Sequence, residues 1–245
     1  MSTGKAQFLV GTSGWTYPDW QGVFYPEDWP KSRWLEYYAQ KFTAVEVNAT
    51  FYRTFKDQTY QKWRERATKD FCYVLKAPRV ITHRKQLKGV DEQIKSFWRS
   101  ASLLEDKLGL ILLQLAPRTV YDPERLKQAL LTFGDPKKIA VEFRNEKWLN
   151  GEIRDLLQET GAIFCNVDSP KSKLTGWVTS KIAYVRLHGR KQWYDYNYPI
   201  HELREIAVLA RRLAALGAKY IYIFFNNDFA GYAPQNAMTL ADMLK

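Results

Sequence analysis

The chain of 245 residues is 46% hydrophobic and 26% charged, a balance that excludes a disordered or low-complexity chain and suits one globular core. Its length lies near the roughly 250 residues of one (β/α)8 barrel, and no second domain is required over 1–245. The formal charge of +11 points to anionic partners, nucleic acid or phosphorylated small molecules, while no run approaches the ~20 apolar residues that span a bilayer, so no membrane is implied.

Residues 8–12 form the first expected strand, and Gly11 and Gly14 bracket a tight turn at Thr12 and Ser13. The stretch 15–29 carries Trp15, Tyr17, Trp20, Phe24, Tyr25 and Trp29 among Pro18, Gly22 and Pro26. It reads as a loop, too aromatic to lie exposed, that folds over the barrel end. Pro30 opens a helix to residue 42. The second strand, 44–48, sets Glu46 and Asn48 on one face and Val45 and Val47 on the other. Tyr52 follows in a loop, and a helix covers 57–68. The third strand, 71–76, ends in Lys76, and its loop carries Thr82 and His83. Ile94, Phe97, Trp98, Ala101 and Leu104 mark a helix over 91–104.

The fourth strand, 108–115, brings Gln114 near its end, and Asp122 caps the next helix with Pro123 at its first position. The fifth, 138–143, delivers Glu142 and Arg144 on one face, with Trp148 beyond. A helix follows over 151–159. The sixth strand, 162–167, ends at Asp168 and Ser169; the connection 170–180 is too short for a confident helix and makes this the one irregular unit. The seventh, 181–187, places Arg186 and His188 two apart, again on one face. Leu203, Ile206, Ala207, Ala210 and Leu213 stripe a helix over 199–216. The eighth strand, 220–225, is six apolar residues that stop abruptly at Asn226, Asn227 and Asp228, and Pro234 starts the last helix, to 244.

Eight strands alternating with seven clear helices predict an α/β fold, a single TIM-like barrel with a parallel sheet and one irregular βα unit. No glycine-rich dinucleotide fingerprint follows the first strand, which counts against an open doubly wound sheet. Cys72 and Cys165 each fall inside an expected strand and read as reduced thiols. With no secretory pattern at the amino terminus, a cytoplasmic protein is expected.

In a closed barrel the carboxyl ends of the strands converge on one mouth. The expected site therefore gathers Glu46 and Asn48, Lys76, Gln114, Glu142 and Arg144, Asp168, Arg186 and His188, and Asn226, Asn227 and Asp228, with Thr12 and Ser13 beside them. Glu46 and Glu142 are candidates for acid–base work, with His188 beside them. Lys76, Arg144 and Arg186 could clamp a phosphate or carboxylate, and Asn48, Tyr52, His83, Gln114, Trp148, Asn226 and Asn227 complete the expected substrate contacts. Asp168 and Asp228, with His188 and Glu142, could hold a divalent metal, although no local metal motif supports it. Buried charges need partners, and Glu46 with Lys76 and Glu142 with Arg186 are the expected pairs. Basic loop residues (Arg53, Arg79, Arg84, Lys85, Arg190) interleave with Tyr17, Tyr52, Trp193 and Tyr196, a mixture that suits phosphates on a rim and a base or sugar stacked upon it. Three readings stay open: a hydrolase of nucleic acid or a phosphorylated, sugar-containing substrate; a carbohydrate isomerase or glycosidase; and a non-catalytic binder of anions. The same charges would also serve as structural ion pairs plugging the barrel top.

Several segments carry a family resemblance: Gly-Thr-Ser-Gly-Trp at 11–15, Val-Glu-Val-Asn-Ala-Thr-Phe-Tyr at 45–52, Val-Glu-Phe-Arg at 141–144, Val-Arg-Leu-His-Gly-Arg at 185–190 and Phe-Asn-Asn-Asp at 225–228. Together they resemble the YecE-like family, the domain of unknown function 72. The resemblance implies a TIM-barrel-like fold with its site at the mouth, and no assigned reaction.

Overall fold

The computed structural model describes residues 5–245. Its eight strands are β1 (Gln7–Thr12), β2 (Ala44–Val47), β3 (Cys72–Lys76), β4 (Leu108–Gln114), β5 (Ile139–Glu142), β6 (Ile163–Asp168), β7 (Ile182–Leu187) and β8 (Tyr220–Phe225). The helices between and after them are α1 (Trp34–Lys41), α2 (Asp57–Arg66), α3 (Asp91–Ala101), α4 (Pro123–Thr132), α5 (Gly151–Thr160), α6 (Ile200–Ala215) and α7 (Tyr232–Leu244). All ladders are parallel, and the sheet runs β1-β8-β7-β6-β5-β4-β3-β2. A bridge between Ser13 and Glu46 joins the two ends and closes the barrel. Gly11 sits at this closure. A Cβ there would lie 2.1 Å from the Ala44 carbonyl oxygen, so only glycine permits the approach of β1 to β2.

Side chains alternate across each strand, so every second residue points into the barrel. Leu9, Ala44, Val74, Leu110, Leu112, Ala140, Ile163, Cys165, Tyr184, Tyr222 and Phe224 form the dry interior. The alternate set, including Val45, Val47, Leu75, Leu113, Val141, Val185, Ile223 and Phe225, packs against the helices in the larger core. One step above the dry layer the inward positions turn polar: Ser13, Glu46, Lys76, Gln114, Glu142, Arg186 and Asn226. This change of chemistry at one height makes a floor for the mouth.

Local expectations hold at several helix ends. Asp122 accepts from the Arg125 backbone N–H at 3.0 Å with Pro123 in the first turn, and Asn150 caps α5 in the same way through Ile153. The first helix begins later than Pro30, at Trp34, after a short 3-10 turn. Residues 49–52, expected as loop, make one helical turn. The aromatic side chains of the stretch 15–29 are largely buried as expected, while the residues between them are exposed. Tyr25 stacks on Trp34 at 4.5 Å between centroids, and Trp20 donates from Nε1 to the Asp228 carbonyl, which ties this loop to the rim.

The irregular unit is the connection from β6 to β7, which has no helix. Asn166 replaces one. Its Oδ1 accepts from Thr175 Oγ1, Gly176 N and Trp177 N at 2.8–3.1 Å, and its Nδ2 donates to the Trp177 carbonyl. One buried side chain thus satisfies the backbone of the crossover. Among the described residues no helix is long and apolar enough to cross a membrane.

Candidate ligand site at the barrel mouth

A cavity of about 680 Å³ opens at the carboxyl ends of the strands. Arg186, on β7, is its hub. The guanidinium is fully buried and lies between two buried carboxylates: Nη2 donates to Glu46 Oε1 at 2.6 Å and Nη1 to Glu142 Oε2 at 2.6 Å. Ser13 Oγ and Tyr184 O–H complete Glu46, at 2.7 and 2.6 Å. Gln114 and Arg144 complete Glu142, the former at 2.8 Å. Burial pushes the Glu142 carboxyl up, but Arg144 and Arg186 outweigh it and hold the group well below the usual carboxylate range.

This arrangement alters two expectations. Glu46 pairs with Arg186, and not with Lys76, because both Arg186 and Glu46 occupy inward positions at the floor and the bidentate fork outcompetes a single ammonium. Glu142 pairs with Arg186 as expected, and with Arg144 besides. Both carboxylates are consequently locked. Their oxygens are all engaged, and Arg186 fills the space between them that a substrate would need for paired acid–base catalysis.

His188 stands above Arg186. Its Nε2 faces Arg144 Nη2 at 3.1 Å and Arg186 Nη1 at 3.2 Å, and a guanidinium only donates, so Nε2 is the acceptor. The proton of the neutral ring therefore sits on Nδ1, and the Asn226 amide 2.9 Å away accepts it with its oxygen turned toward the ring. Burial, and then the Arg186 charge, hold the imidazole well below its ordinary pKa. His188 is thus a neutral positioner of two arginines.

Lys76 is different. It lines the cavity and is 8% exposed, with its ammonium 4.4 Å from the centre of the Phe51 ring. Among the described residues no carboxylate lies within 4.0 Å of it, whereas Arg144 and Arg186 both have one. Burial and the Arg186 charge lower its pKa from 10.5 to about 8, against the pull of Glu142 and Glu46. Arg79 also lines the cavity without such a partner. His83 meets Phe51 edge-on at 4.9 Å, and burial with the charges of Lys76, Arg79 and Arg118 depresses its pKa to about 4. Asn48 Oδ1 is buried at this wall with no hydrogen-bond partner. Tyr17, Tyr52 and Tyr194 complete the rim, and Tyr194 holds a positive φ of 66°, which is strained for a bulky residue.

Of the residues expected at the mouth, Asn48, Tyr52, Lys76, His83, Gln114, Arg144, Arg186, His188, Asn226 and Asp228 do line the cavity. Ser13, Glu46 and Glu142 lie buried in the floor beneath it, and four others turn away, Thr12, Asn227 and Asp168 for reasons of strand parity. Thr12 points outward and meets the Tyr38 hydroxyl at 2.9 Å. Asn227, one step from the inward Asn226, donates to the Tyr196 carbonyl and to Asn236 Oδ1. Trp148 is buried on the outer side, stacked on Phe143. Asp168 follows the inward Val167, faces away from the mouth and binds Arg190 at 2.9 Å. The proposed metal set falls with it: the residues present do not fit, since among the described residues no three His, Cys, Asp or Glu side chains come together as a cation site. Contributors to the mouth that escaped the sequence reading include Tyr184, Phe51 as the platform of Lys76, and Tyr194 at the rim. Tyr184 had a signal, since it lies two residues before Arg186 on the same face.

A closed parallel barrel of eight strands with its cavity at their carboxyl ends is the general architecture of TIM-barrel proteins. Within that class, the chain belongs to the family described as protein of unknown function DUF72, which it matches over residues 9–245. It is 32% identical to the UPF0759 protein YecE of Escherichia coli K12 over 106 residues, a match spanning 43% of this chain and only 36% of that relative. It is 25% identical to the UPF0759 protein YunF of Bacillus subtilis across 96% of this chain and 94% of that one. A crystal structure of a DUF72 family protein from Thermotoga maritima superposes with a TM-score of 0.86 at 31% identity, covering 97% of this chain and 99% of that one.

Proposed function

We propose that this protein acts on a phosphorylated ligand of nucleotide or sugar-phosphate size, with the phosphate inside the cavity and the ring against the rim tyrosines. The single observation that carries this reading is the surplus of cations: Lys76 and Arg79 face the cavity without a carboxylate, beside an Arg144 whose Nη1 is uncommitted. A phosphate would relieve that imbalance. The cavity volume suits a small ligand or one nucleotide of a single strand, and Tyr52 and Tyr194, both exposed at its edge, suit a stacked ring. Phosphoester hydrolysis is the reaction class this reading favours. Arg144 and Lys76 would neutralise developing charge on the phosphoryl oxygens, and Asp228, whose pKa burial raises, is the cavity-lining carboxylate available to move a proton. Two separate thiols, Cys72 and Cys165, suit a cytoplasmic setting.

The carbohydrate-enzyme reading loses support because Arg186 occupies the gap between Glu46 and Glu142. A non-catalytic anion-binding role is favoured by that same locking. Calorimetric titration with inorganic phosphate and with a nucleoside monophosphate at low salt tests the binding, and release of nitrophenol from bis(p-nitrophenyl) phosphate tests the chemistry. Binding in the micromolar to millimolar range, weakened tenfold or more by Arg144→Gln, is expected. No heat and no melting-temperature shift with millimolar phosphate would remove the reading; binding without turnover selects the binder.

A further inference from the structure

We propose that Lys76 is a carbonyl-reactive amine, and that the ligand of this mouth is an anionic aldehyde or ketone that forms an imine with it. The inference rests on the reading of the mouth as a phosphate site and names the chemistry at its base. Three geometric facts carry it. Lys76 ends β3 at an inward position, so its amine is delivered into the cavity by a rigid strand. It is the one buried lysine of the cavity, and it lies against an aromatic face instead of a carboxylate. Its charged neighbours within the floor are arginines already neutralised by Glu46 and Glu142, so nothing there is free to hold the ammonium. An amine desolvated beside other cations is the usual form of a lysine nucleophile.

The step balances without an outside oxidant or reductant. The neutral Nζ attacks the carbonyl carbon, a C–N bond forms, and the carbonyl π electrons pass to oxygen. A proton moves from nitrogen to that oxygen. With one further proton from solvent the hydroxyl leaves as water, and a protonated imine remains on Lys76. The substrate's anionic group stays with Arg144 and Arg79 while this happens. The depressed pKa, about 8, means that the reactive free base is already present at neutral pH. Arg186 and Arg144 oppose the ammonium from the neighbouring strands, while Glu142 and Glu46 favour it; Arg79 lines the same cavity, and His83, with its pKa depressed to about 4, is uncharged there at neutral pH.

The test uses pyridoxal 5'-phosphate as an aldehyde that carries a phosphate, with cyanoborohydride to reduce any imine at pH 7.5, followed by peptide mapping of the full chain. One label per chain at Lys76 is expected, slowed at least tenfold by inorganic phosphate and slower with pyridoxal, which lacks the phosphate. Lys76→Arg, which keeps a cation at this position, should take no label there. Labels scattered over surface lysines, with the Lys76 peptide unmodified, would overturn the proposal. If phosphate binds by calorimetry but Lys76 stays unlabelled, the carbonyl chemistry fails while the phosphate site stands. If phosphate neither binds nor protects, the failure lies with the phosphate site itself.

Discussion

At the scale of single residues, the mouth sets unpaired cations, Lys76 and Arg79, beside a saturated ion cluster, and Lys76 responds to mutation oppositely to the cluster. Lys76 has its folded pKa lowered to about 8 from an unfolded value of 10.5, so between those values the unfolded chain binds a proton that the folded chain does not. Stability therefore rises with pH through that window, and below about pH 8 the fold carries the full cost of the buried ammonium. Lys76→Met should raise stability at pH 7, by up to about 3 kcal/mol from the size of the shift, while it weakens phosphate binding. A denaturant melt paired with calorimetry checks both; a destabilised variant would mean the ammonium has a partner. Arg186→Met should do the reverse and cost about 3–5 kcal/mol, because it strands Glu46 and Glu142 in the interior. Glu142 adds a pH signature of opposite sense. Its folded pKa lies below the ordinary 4.5, so its contribution is complete above that value and is lost as pH falls through the depressed one. Acid unfolding that begins below pH 4.5 should be blunted in Glu142→Gln.

At the scale of elements, strand parity decides which polar residues reach the cavity. Period-two reading of β2, β5 and β7 was enough to find Glu46, Glu142, Arg144, Arg186 and His188, because each of these strands keeps its alternation to the end. The same rule, carried through β6 and β8, would have turned Asp168 and Asn227 outward. Their polarity at a strand end drew them to the mouth, yet they lie one step out of phase with Val167 and Asn226. Partner choice was less legible, since the floor is assembled from strands distant in sequence and only the closed ring brings Tyr184 and Ser13 to Glu46. The β6–β7 connection was legible as irregular, but what holds it was not. Asn166 holds it through three accepted hydrogen bonds, so Asn166→Ala should cost about 1–3 kcal/mol by leaving the part-buried N–H groups of Gly176 and Trp177 unmet. Hydrogen exchange should show residues 175–177 losing protection before the strands do. Equal protection in the variant and the wild type would show that the loop is held by something else.

At the scale of the whole molecule, the question is whether the net charge of +11 acts through the cavity or over the surface. The two differ in how binding depends on salt. A polyanion spread over exposed lysines and arginines releases about 0.7 counterions per single-strand phosphate contact, so its affinity falls steeply with ionic strength. A phosphate inside the cavity meets Lys76, Arg79 and Arg144 in partly desolvated surroundings, where bulk ions screen less. A single-stranded oligonucleotide should therefore compete with a nucleoside monophosphate for one site, and Arg144→Gln should weaken both by a similar factor. Arg84 and Lys85 are exposed beyond the cavity wall, and neutralising both should flatten the oligonucleotide's salt slope by about 1 while leaving the monophosphate unaffected. Filter binding across a salt series reads both effects. Oligonucleotide affinity indifferent to Arg144→Gln would mean that the charge coats the surface and that the barrel mouth serves some smaller anion alone.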